Sequence, residues 1–289
     1  MNTAVVIGVS GLFYQACVLL TMLKDSLTIK HDLIVYQSGL FDTQKDILKD
    51  IYNVSSIIEY SSFKDTKHYT TNLAYSKLEC LKLLGTYDKV LWLDIDLLIR
   101  KNIDDLFNYS EFICAAYNEK DMSVNFYDGI PKLNYLRPLK DVFFNSGVVL
   151  FNDVLEKSVR ENIYAWSTDF LRGGIEQGRR VRDQGILNLV PYLFEVKTKC
   201  IDPTYNMHVF CIKELKNSDP AIYHYASPEG KPYYKEYITL CNEQVMYPKE
   251  YVSKINETLE LLYEHGYESE WDDYVISLYR NKNKNTELI

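Results

Sequence analysis

Short apolar runs alternate along the first 120 residues with stretches in which apolar residues recur every three or four positions. Residues 4–9 form one run, and HDLIVYQ contains a second. Between these runs, four apolar residues lie at helical spacing: Ala16, Leu19, Leu20 and Leu23. A polar helical stretch over 43–52 follows the second run. This alternation of strand and helix predicts an open α/β fold with a mostly parallel sheet.

A third run, in KVLWLDID, is apolar without interruption, which predicts a strand that helices cover on both faces. The segment before it is predicted to be helical, with Gly85 as its C-cap, because it spaces Leu73, Lys77, Cys80 and Leu84 accordingly. Open α/β sheets bind ligands beyond the carboxyl ends of their strands. The residues that follow KVLWL are therefore candidates for a binding site.

Beyond residue 120 the alternation weakens. FFNSGVVLFN predicts another buried strand, which a helix over 153–171 and a Gly/Arg-rich loop over 172–182 follow. AIYHYAS predicts a further strand, and helical patterns return over 249–280. We expect one α/β domain over 1–240 and a helical C-terminal extension over 241–289, with a frayed end.

Composition narrows the classes of partner. The chain has 289 residues, 47% of them apolar and 25% charged, and its formal net charge is −8. Acidic chains do not favour nucleic acids or anionic lipid surfaces, and no apolar run reaches the ~18 residues of a membrane span. Six scattered cysteines predict buried free thiols in a reducing compartment. Because the amino terminus also lacks a secretory leader, a cytoplasmic location is expected.

Asp94-Ile95-Asp96 follows the third strand directly. Residues i and i+2 project to the same side of a strand, so both carboxylates should face one point while Ile95 packs away from it. Paired carboxylates repel each other unless a cation lies between them, and hard ions such as Mg²⁺ or Mn²⁺ suit oxygen ligands. The alternative is a helix cap beside a solvated acid. Placement at the end of a buried strand favours the metal site.

Two enzyme classes carry such an acidic pair after a strand. Haloacid-dehalogenase phosphatases normally carry it on the first strand, with Thr or Val two residues beyond the second Asp. Here two predicted strands come first and Leu98 occupies that position, so this class fits poorly. The other class is the nucleotide-sugar transferases.

The segment YSKLECLKLLGTYDKVLWLDIDLLIRKNIDDLF closely resembles the core of the glycogenin-like members of glycosyltransferase family 8. Similar motifs follow in the family's order: FFNSGVVLFN, RDQGILN, PTYN and IYHYASPEGKPYY. Together they span residues 4 to about 235. The resemblance implies a single Rossmann-like nucleotide-sugar transferase domain of the GT-A type, with a central, mostly parallel sheet.

The same resemblance implies a metal site formed by Asp94, Asp96 and His224, which would bind Mn²⁺, or Mg²⁺, together with the diphosphate of a UDP-sugar. An imidazole beside two carboxylates suits Mn²⁺ better than Mg²⁺. For an isolated histidine on an apolar strand, a core position is the alternative. The other histidines whose context matches no motif are assigned no role: His31, His68, His208 and His265.

Further residues match donor-binding positions of the family. Lys77 and Lys231, the latter with Gly230, match residues at the donor phosphates, and Ile95 belongs to the same motif as the metal pair. Lys231 departs from the family's pattern, because Gly230 directly precedes it, an extra residue follows His224, and Tyr233 replaces a Trp. The alternative interpretation of Lys77 is that its side chain extends along the protein surface and its ammonium reaches solvent.

Ser10 and Tyr14 match the positions that hold uracil and ribose. Asn145, Asp183 and Gln184 match residues around the donor sugar and are the candidate catalytic residues. Asn145 could also have a purely structural role, and Asp183 could be a helix N-cap.

The family retains the anomeric configuration. The predicted activity is therefore transfer of a hexose, with glucose favoured, from a UDP-sugar to a hydroxyl of a glycan or protein. Double displacement would use the residue at the Gln184 position as the nucleophile. Front-face substitution needs no protein nucleophile, and it is favoured because an amide is a poor nucleophile. A lipopolysaccharide-type galactosyltransferase and a UDP-sugar-binding protein without turnover are the alternatives. A homodimer is compatible with the resemblance.

Self-glucosylation of the glycogenin kind is a further option for the acceptor. In glycogenin the acceptor tyrosine lies between the Y-N motif and the metal-binding His. The corresponding residues 207–222 contain no tyrosine, so a self-attached sugar is expected elsewhere, in the Tyr-rich segment 233–279.

Overall fold

The structure is a computed structural model that describes residues 1–10, 12–61, 72–117, 143–176, 183–208, 219–225 and 249–267. The strands in these ranges are β1 (Thr3–Val9), β2 (Asp32–Gln37), β3 (Ser56–Glu59), β4 (Lys89–Leu93), β5 (Leu97–Ile99), β6 (Ile113–Tyr117), β7 (Phe144–Asn152), β8 (Thr198–Ile201), β9 (Met207–His208) and β10 (Ile222–His224). The α-helices are α1 (Phe13–Ser26), α2 (Asp42–Asp50), α3 (Cys80–Leu83), α4 (Lys157–Glu176), α5 (Asp183–Phe194) and α6 (Lys249–Glu264). Short 3₁₀ helices cover Asn72–Glu79, Asp104–Asn108 and Pro203–Tyr205.

Seven strands form the main sheet, in the order β3-β2-β1-β4-β7-β6-β8. All neighbouring pairs are parallel except those of β7, which runs antiparallel to both β4 and β6. Six strands therefore run in one direction, and the prediction of a mostly parallel sheet is confirmed. In this direction the carboxyl ends of β1 and β4 lie side by side, with Ile7 opposite Leu93.

A small second sheet, β5-β10-β9, stands at this edge. β10 runs antiparallel to β5, with His224 opposite Leu97, and parallel to β9, with His224 opposite His208. β5 begins immediately after Asp96, and the Tyr225 backbone N–H donates to the Asp96 carbonyl at 2.9 Å. The small sheet thus joins the acidic pair to a histidine that lies far along the chain.

Apolar side chains pack on both faces of the main sheet. Along β1, Val5 and Ile7 belong to a cluster on the α1 side, whereas Ala4 and Val6 belong to a cluster on the side of α4 and α5. Burial on both faces explains the uninterrupted apolar runs at residues 90–93 of β4 and 148–151 of β7.

α6 packs on α1. Thr258 Oγ1 donates to Thr21 Oγ1 at 3.0 Å, Lys254 pairs with Asp25, and Leu259 and its apolar neighbours extend the core of the α1 side. This part of the predicted C-terminal extension therefore shares a core with the main domain. The division at residues 240 and 241 stays a prediction.

Five strands were not predicted (β3, β5, β6, β8 and β9), and two predicted segments differ in form or extent. β3, a short strand with mostly half-buried residues, was not predicted, so β4 is the fourth strand and not the third. The segment before β4 is mostly 3₁₀ helix and becomes α-helical only over α3, although Gly85 has the positive φ of 97° expected of a C-cap. α4 continues to Glu176, so 172–176 of the predicted loop are helical, and 177–182 lie outside the described residues.

Three cysteines, Cys17, Cys80 and Cys114, are free and buried as predicted, whereas Cys200 is exposed; Cys211 and Cys241 lie outside the described residues. No helix in the described ranges combines the length and apolarity needed to cross a membrane.

Candidate active site

Two carboxylates and an imidazole converge where β4 ends. His224 Nε2 lies 3.3 Å from Asp96 Oδ1 and 3.8 Å from Asp94 Oδ2, and one ligand atom from each residue fits within a mutual distance of 4.8 Å. His224 and Asp96 are buried, and Asp94 is half-buried. Ile95, between the two carboxylates, packs against the core of the α1 side. The predicted convergence of the acidic pair is therefore found, together with the histidine that the resemblance indicated.

A chain of amides beside the triad takes its orientation from the backbone. The Gly147 N–H donates to Asn145 Oδ1 at 2.8 Å, which turns the Asn145 amide nitrogen toward Gln184 Oε1 at 3.0 Å. The Ser146 N–H donates to the same Gln184 oxygen at 3.3 Å. Gln184 Nε2 is consequently buried without a hydrogen-bond partner in the described structure. It is a donor available to a ligand.

The same chain orients the histidine ring. Asn206 Nδ2 donates to Asn145 Oδ1 at 2.9 Å, so Asn206 Oδ1 is left as the acceptor for His224 Nδ1 at 2.8 Å. With Nδ1–H as the donor of this hydrogen bond, the Nε2 lone pair is directed toward the two carboxylates. This is the arrangement that metal-binding histidines use.

Lys77 is buried between two carboxylates. Its Nζ lies 3.0 Å from Asp94 Oδ1 and 2.7 Å from Asp183 Oδ2, and it donates to Ser146 Oγ at 3.2 Å. Burial lowers the pKa of Lys77, but Asp183 and Asp94 outweigh this effect and raise the pKa above its usual value. With only 3% of its surface exposed, Lys77 does not extend to solvent, and that alternative is wrong.

The charges fit a divalent cation. The cluster contains one ammonium, Lys77, which pairs with Asp94 and Asp183, and a third carboxylate, Asp96, which lies beside His224. Carboxylates therefore outnumber ammonium groups three to one. Buried carboxylates of this kind need a counter-charge. Two oxygen donors and one neutral nitrogen donor are ligands that Mn²⁺ or Mg²⁺ accepts, and the nitrogen favours Mn²⁺.

Close packing holds the triad. An ideal Cβ at Gly147 would lie 2.1 Å from His224 Cε1, so only glycine leaves room for the imidazole. On the other side, Trp92 Nε1 donates to Asp94 Oδ1 at 2.8 Å, and the Asp94 N–H donates to the Gly147 carbonyl at 2.8 Å. Neighbouring strands β4 and β7 therefore position Asp94 through its side chain and its backbone together.

The comparison with known families decides the identity. A family model described as "Glycosyl transferase family 8" matches residues 24–235, well over half of the chain. The chain belongs to glycosyl transferase family 8.

Two curated relatives fit this assignment. Glycosyltransferase GlyA of Streptococcus pneumoniae serotype 4 is 30% identical over 177 residues, which are 61% of this chain and 21% of GlyA. Galactinol synthase 1 of Solanum lycopersicum is 25% identical over 216 residues, which are 71% of this chain and 60% of the synthase. The chain thus spans less than two thirds of either relative.

Solved structures agree on the fold. The apo bifunctional glycosyltransferase WbbM superposes with a TM-score of 0.66 at 17% identity, over 96% of this chain and 51% of WbbM. The galactosyltransferase LgtC, in complex with donor and acceptor sugar analogues, superposes with a TM-score of 0.56 at 19% identity, over 87% of this chain and 99% of LgtC. The predicted GT-A type of fold is confirmed, whereas the closer likeness to glycogenin stays a prediction.

Of the remaining residues predicted to bind the donor in this family 8 chain, two lie in the described structure and two lie outside it. Ser10 follows β1 and Tyr14 lies in the first turn of α1, so both stand at the sheet edge that carries the triad. The Tyr14 ring packs against Phe13 and Tyr267, with centroid distances of 5.7 and 6.0 Å. Gly230 and Lys231 lie outside the described residues.

Sequence reasoning missed several residues that hold the family 8 site together. Asn206 and Ser146 sit inside quoted motifs, so their place in those motifs was a usable signal. His208 was assigned no role, yet its ring lies 5.0 Å from the His224 ring and its Nε2 is buried without a partner in the described structure. Burial, followed by the neighbouring His224, lowers the pKa of His208 to about 3.

Proposed function

We propose that this family 8 protein is a retaining, metal-dependent transferase that moves a hexosyl group from a UDP-sugar to a hydroxyl acceptor. The observation that carries the proposal is the convergence of Asp94, Asp96 and His224 beside Lys77, at the carboxyl end of β4. Nucleotides bind at this edge in open α/β sheets. Family membership supports the reaction class.

Asp94, Asp96 and His224 would hold the divalent ion, with Mn²⁺ favoured over Mg²⁺ by the imidazole nitrogen. The bound ion would neutralise charge on the diphosphate, which leaves when the glycosidic bond breaks. Lys77 supplies a second cation whose charge is secured by Asp94 and Asp183. Lys231, with Gly230, remains a proposed phosphate contact from the sequence resemblance.

The amide chain bears on the mechanism. Gln184 Oε1 already accepts from Asn145 Nδ2 and the Ser146 N–H, so its oxygen is poorly suited to attack an anomeric carbon. We therefore favour front-face substitution, in which the departing phosphate helps to deprotonate the acceptor hydroxyl. Gln184 Nε2 would donate to the sugar, and Asp183 would orient the sugar or the acceptor. Double displacement requires Gln184 to turn its amide over.

Ser10 and Tyr14 are proposed to hold the uridine. Glucose is the favoured donor sugar, on the resemblance to glycogenin-like sequences. Galactose is the second candidate, because the fold neighbour LgtC is a galactosyltransferase and one relative is a galactinol synthase. A glycan or protein hydroxyl, including one on this chain, is the proposed acceptor.

A donor panel tests the proposal. The protein is incubated with UDP-glucose, UDP-galactose, UDP-xylose, UDP-N-acetylglucosamine or UDP-N-acetylgalactosamine. Each donor is tested with Mn²⁺ and with EDTA, and the released UDP is measured. We expect the protein to release UDP only when the metal is present. The substitutions Asp94→Asn and Asp96→Asn should each abolish this release. Asp88→Asn is the matched control, since Asp88 is an exposed carboxylate at the opposite end of β4 and accepts from the Asn2 N–H.

Intact-protein mass spectrometry of the same samples detects transfer to the chain itself. Full turnover in EDTA would overturn the metal-dependent proposal. Tight binding of UDP without any UDP release from the panel would identify the alternative, a UDP-sugar-binding protein without turnover.

A further inference from the structure

Gln15 is a buried amide without hydrogen bonds. It is 5% exposed, and neither Nε2 nor Oε1 has a hydrogen-bond partner in the described structure. Buried amides elsewhere in the described chain have partners; Asn188, for example, binds the backbone of Phe144 and Gln184. Native proteins rarely leave both ends of a buried amide unpaired, because desolvation without compensation lowers stability. The group calls for an explanation by function.

The position of Gln15 suggests that function. It lies in the first turn of α1, one residue after Tyr14, at the sheet edge where β1 and β4 end. The cap residue Leu12 makes no side-chain hydrogen bond, and the first turn carries no acidic residue. An anionic or hydrogen-bonding ligand would meet no competing acid at this end of the helix.

The course of α1 also brings Gln15 to this end of the sheet. Leu19, Met22 and Ser26 follow it at spacings of four, seven and eleven residues, so all four share one side of α1. At the far end of that side, the Ser26 carbonyl accepts from the Ile103 N–H, beyond β5. Since α1 packs on β5 and the chain runs from Asp96 through β5 to Ile103, the amino-terminal end of α1, with Gln15, lies toward Asp96.

We propose that Gln15 recognises the nucleobase of the donor nucleotide. An amide offers one acceptor and two donor hydrogens, and the uracil edge offers the N3–H donor between the O2 and O4 acceptors. Gln15 Oε1 accepts from N3–H, while Nε2 donates to the adjacent carbonyl oxygen. Both unpaired atoms are then satisfied by one ligand. This inference rests on the proposed use of a UDP-sugar and adds the residue that reads the base.

The test couples a change in the protein to a change in the ligand. Binding of UDP and of 3-methyl-UDP, which lacks the N3–H, is measured by calorimetry with Mn²⁺, for the unaltered full chain and for Gln15→Leu. We expect the unaltered protein to prefer UDP by about tenfold, the scale of one or two neutral hydrogen bonds. Gln15→Leu should bind UDP about tenfold more weakly and lose the preference.

Two further variants serve as controls for folding and for the loss of a buried amide. Asn152→Leu removes another buried amide, at the opposite end of the sheet where Asn152 pairs with Lys89, and should keep the preference for UDP. Gln15→Met replaces the amide by a flexible apolar chain and serves if Gln15→Leu does not fold; thermal unfolding checks both.

The outcomes are distinct. A preference for UDP that survives in a folded Gln15 variant overturns this inference alone. Failure of the unaltered protein to bind UDP overturns the proposed function, and this inference with it.

Discussion

Asn206 holds His224 through a 2.8 Å hydrogen bond between its Oδ1 and the histidine Nδ1. Because Asn206 Nδ2 is committed to Asn145 Oδ1, the asparagine can only accept from the ring. The Nε2 lone pair of His224 is therefore presented to the acidic pair before any ion arrives. Pre-orientation of this kind reduces the ordering that an ion must impose when it binds.

Replacing Asn206 should weaken metal binding although no ligand is removed. We expect Asn206→Leu to lower Mn²⁺ affinity by about 10- to 100-fold, the range typical when a metal-binding side chain loses its hydrogen-bond partner. Asn206→Asp, which keeps an acceptor for Nδ1–H, should retain most of the affinity. Calorimetric titration with Mn²⁺ measures both. Equal affinities in Asn206→Leu and the unaltered protein would show that the asparagine does not orient the ring.

Lys77 should stabilise the metal-free fold by balancing Asp94 and Asp183. We expect Lys77→Met to lower the free energy of unfolding by about 3–5 kcal/mol in EDTA, because this is the usual cost of removing one partner of a buried ion pair. Mn²⁺ should restore part of this loss by supplying positive charge to the same carboxylates. Lys82→Met is the control, because Lys82 pairs with Glu79 but is half exposed, and a change below about 1 kcal/mol is expected. Urea unfolding with and without Mn²⁺ decides; an equally small effect of both substitutions would contradict the prediction.

A methyl group at position 147 should displace the histidine. The Cβ of Gly147→Ala would lie 2.1 Å from His224 Cε1, so the ring must leave its present position beside Asp94 and Asp96. We expect Mn²⁺ affinity to fall at least about tenfold, with a loss of stability of about 1–3 kcal/mol. Gly173→Ala is the control: it lies in α4 with open space around it, and should gain up to about 1 kcal/mol. Unchanged Mn²⁺ binding by Gly147→Ala would contradict the role of this contact.

His208 should make the fold sensitive to acid. Burial, and then the neighbouring His224, lowers its pKa from 6.5 to about 3, so between these values the unfolded chain binds the proton more readily. Stability therefore rises with pH across this window, is complete above about pH 6.5, and declines as the pH falls toward 3. We expect His208→Gln to lose less thermal stability than the unaltered protein between pH 7.5 and pH 5, measured in EDTA. His265→Gln, at an exposed position, should behave like the unaltered protein. An unchanged acid response in His208→Gln would contradict the prediction.

The sequence predicted what depends on local pattern. The uninterrupted apolar run before Asp94 indicated β4 and the position of the acidic pair, because burial on both faces leaves a continuous signature. β3 escaped because a four-residue strand, half-buried at the sheet edge, has neither alternation nor a long apolar run. The helical spacing around Lys77 indicated a helix but could not distinguish the 3₁₀ form from the α form.

The assembly of the site depends on pairing between distant segments, which no local pattern records. His224 faces the acidic pair because β10 pairs with β5, more than a hundred residues away, and only motif resemblance pointed to it. His208 reaches the same place because β9 pairs in parallel register with β10. Lys77 was singled out by its motif, but its burial between Asp94 and Asp183 follows from the packing of the 3₁₀ helix against α5.

The late position of β10 in the chain has a consequence for synthesis. All seven strands of the main sheet are complete once the ribosome has made residue 201, but the histidine of the triad is residue 224. A nascent chain can therefore close its large sheet while Asp94 and Asp96 still lack their third partner. The three side chains of the proposed metal site therefore come together only when β10 emerges and pairs with β5, after the main sheet has been synthesised.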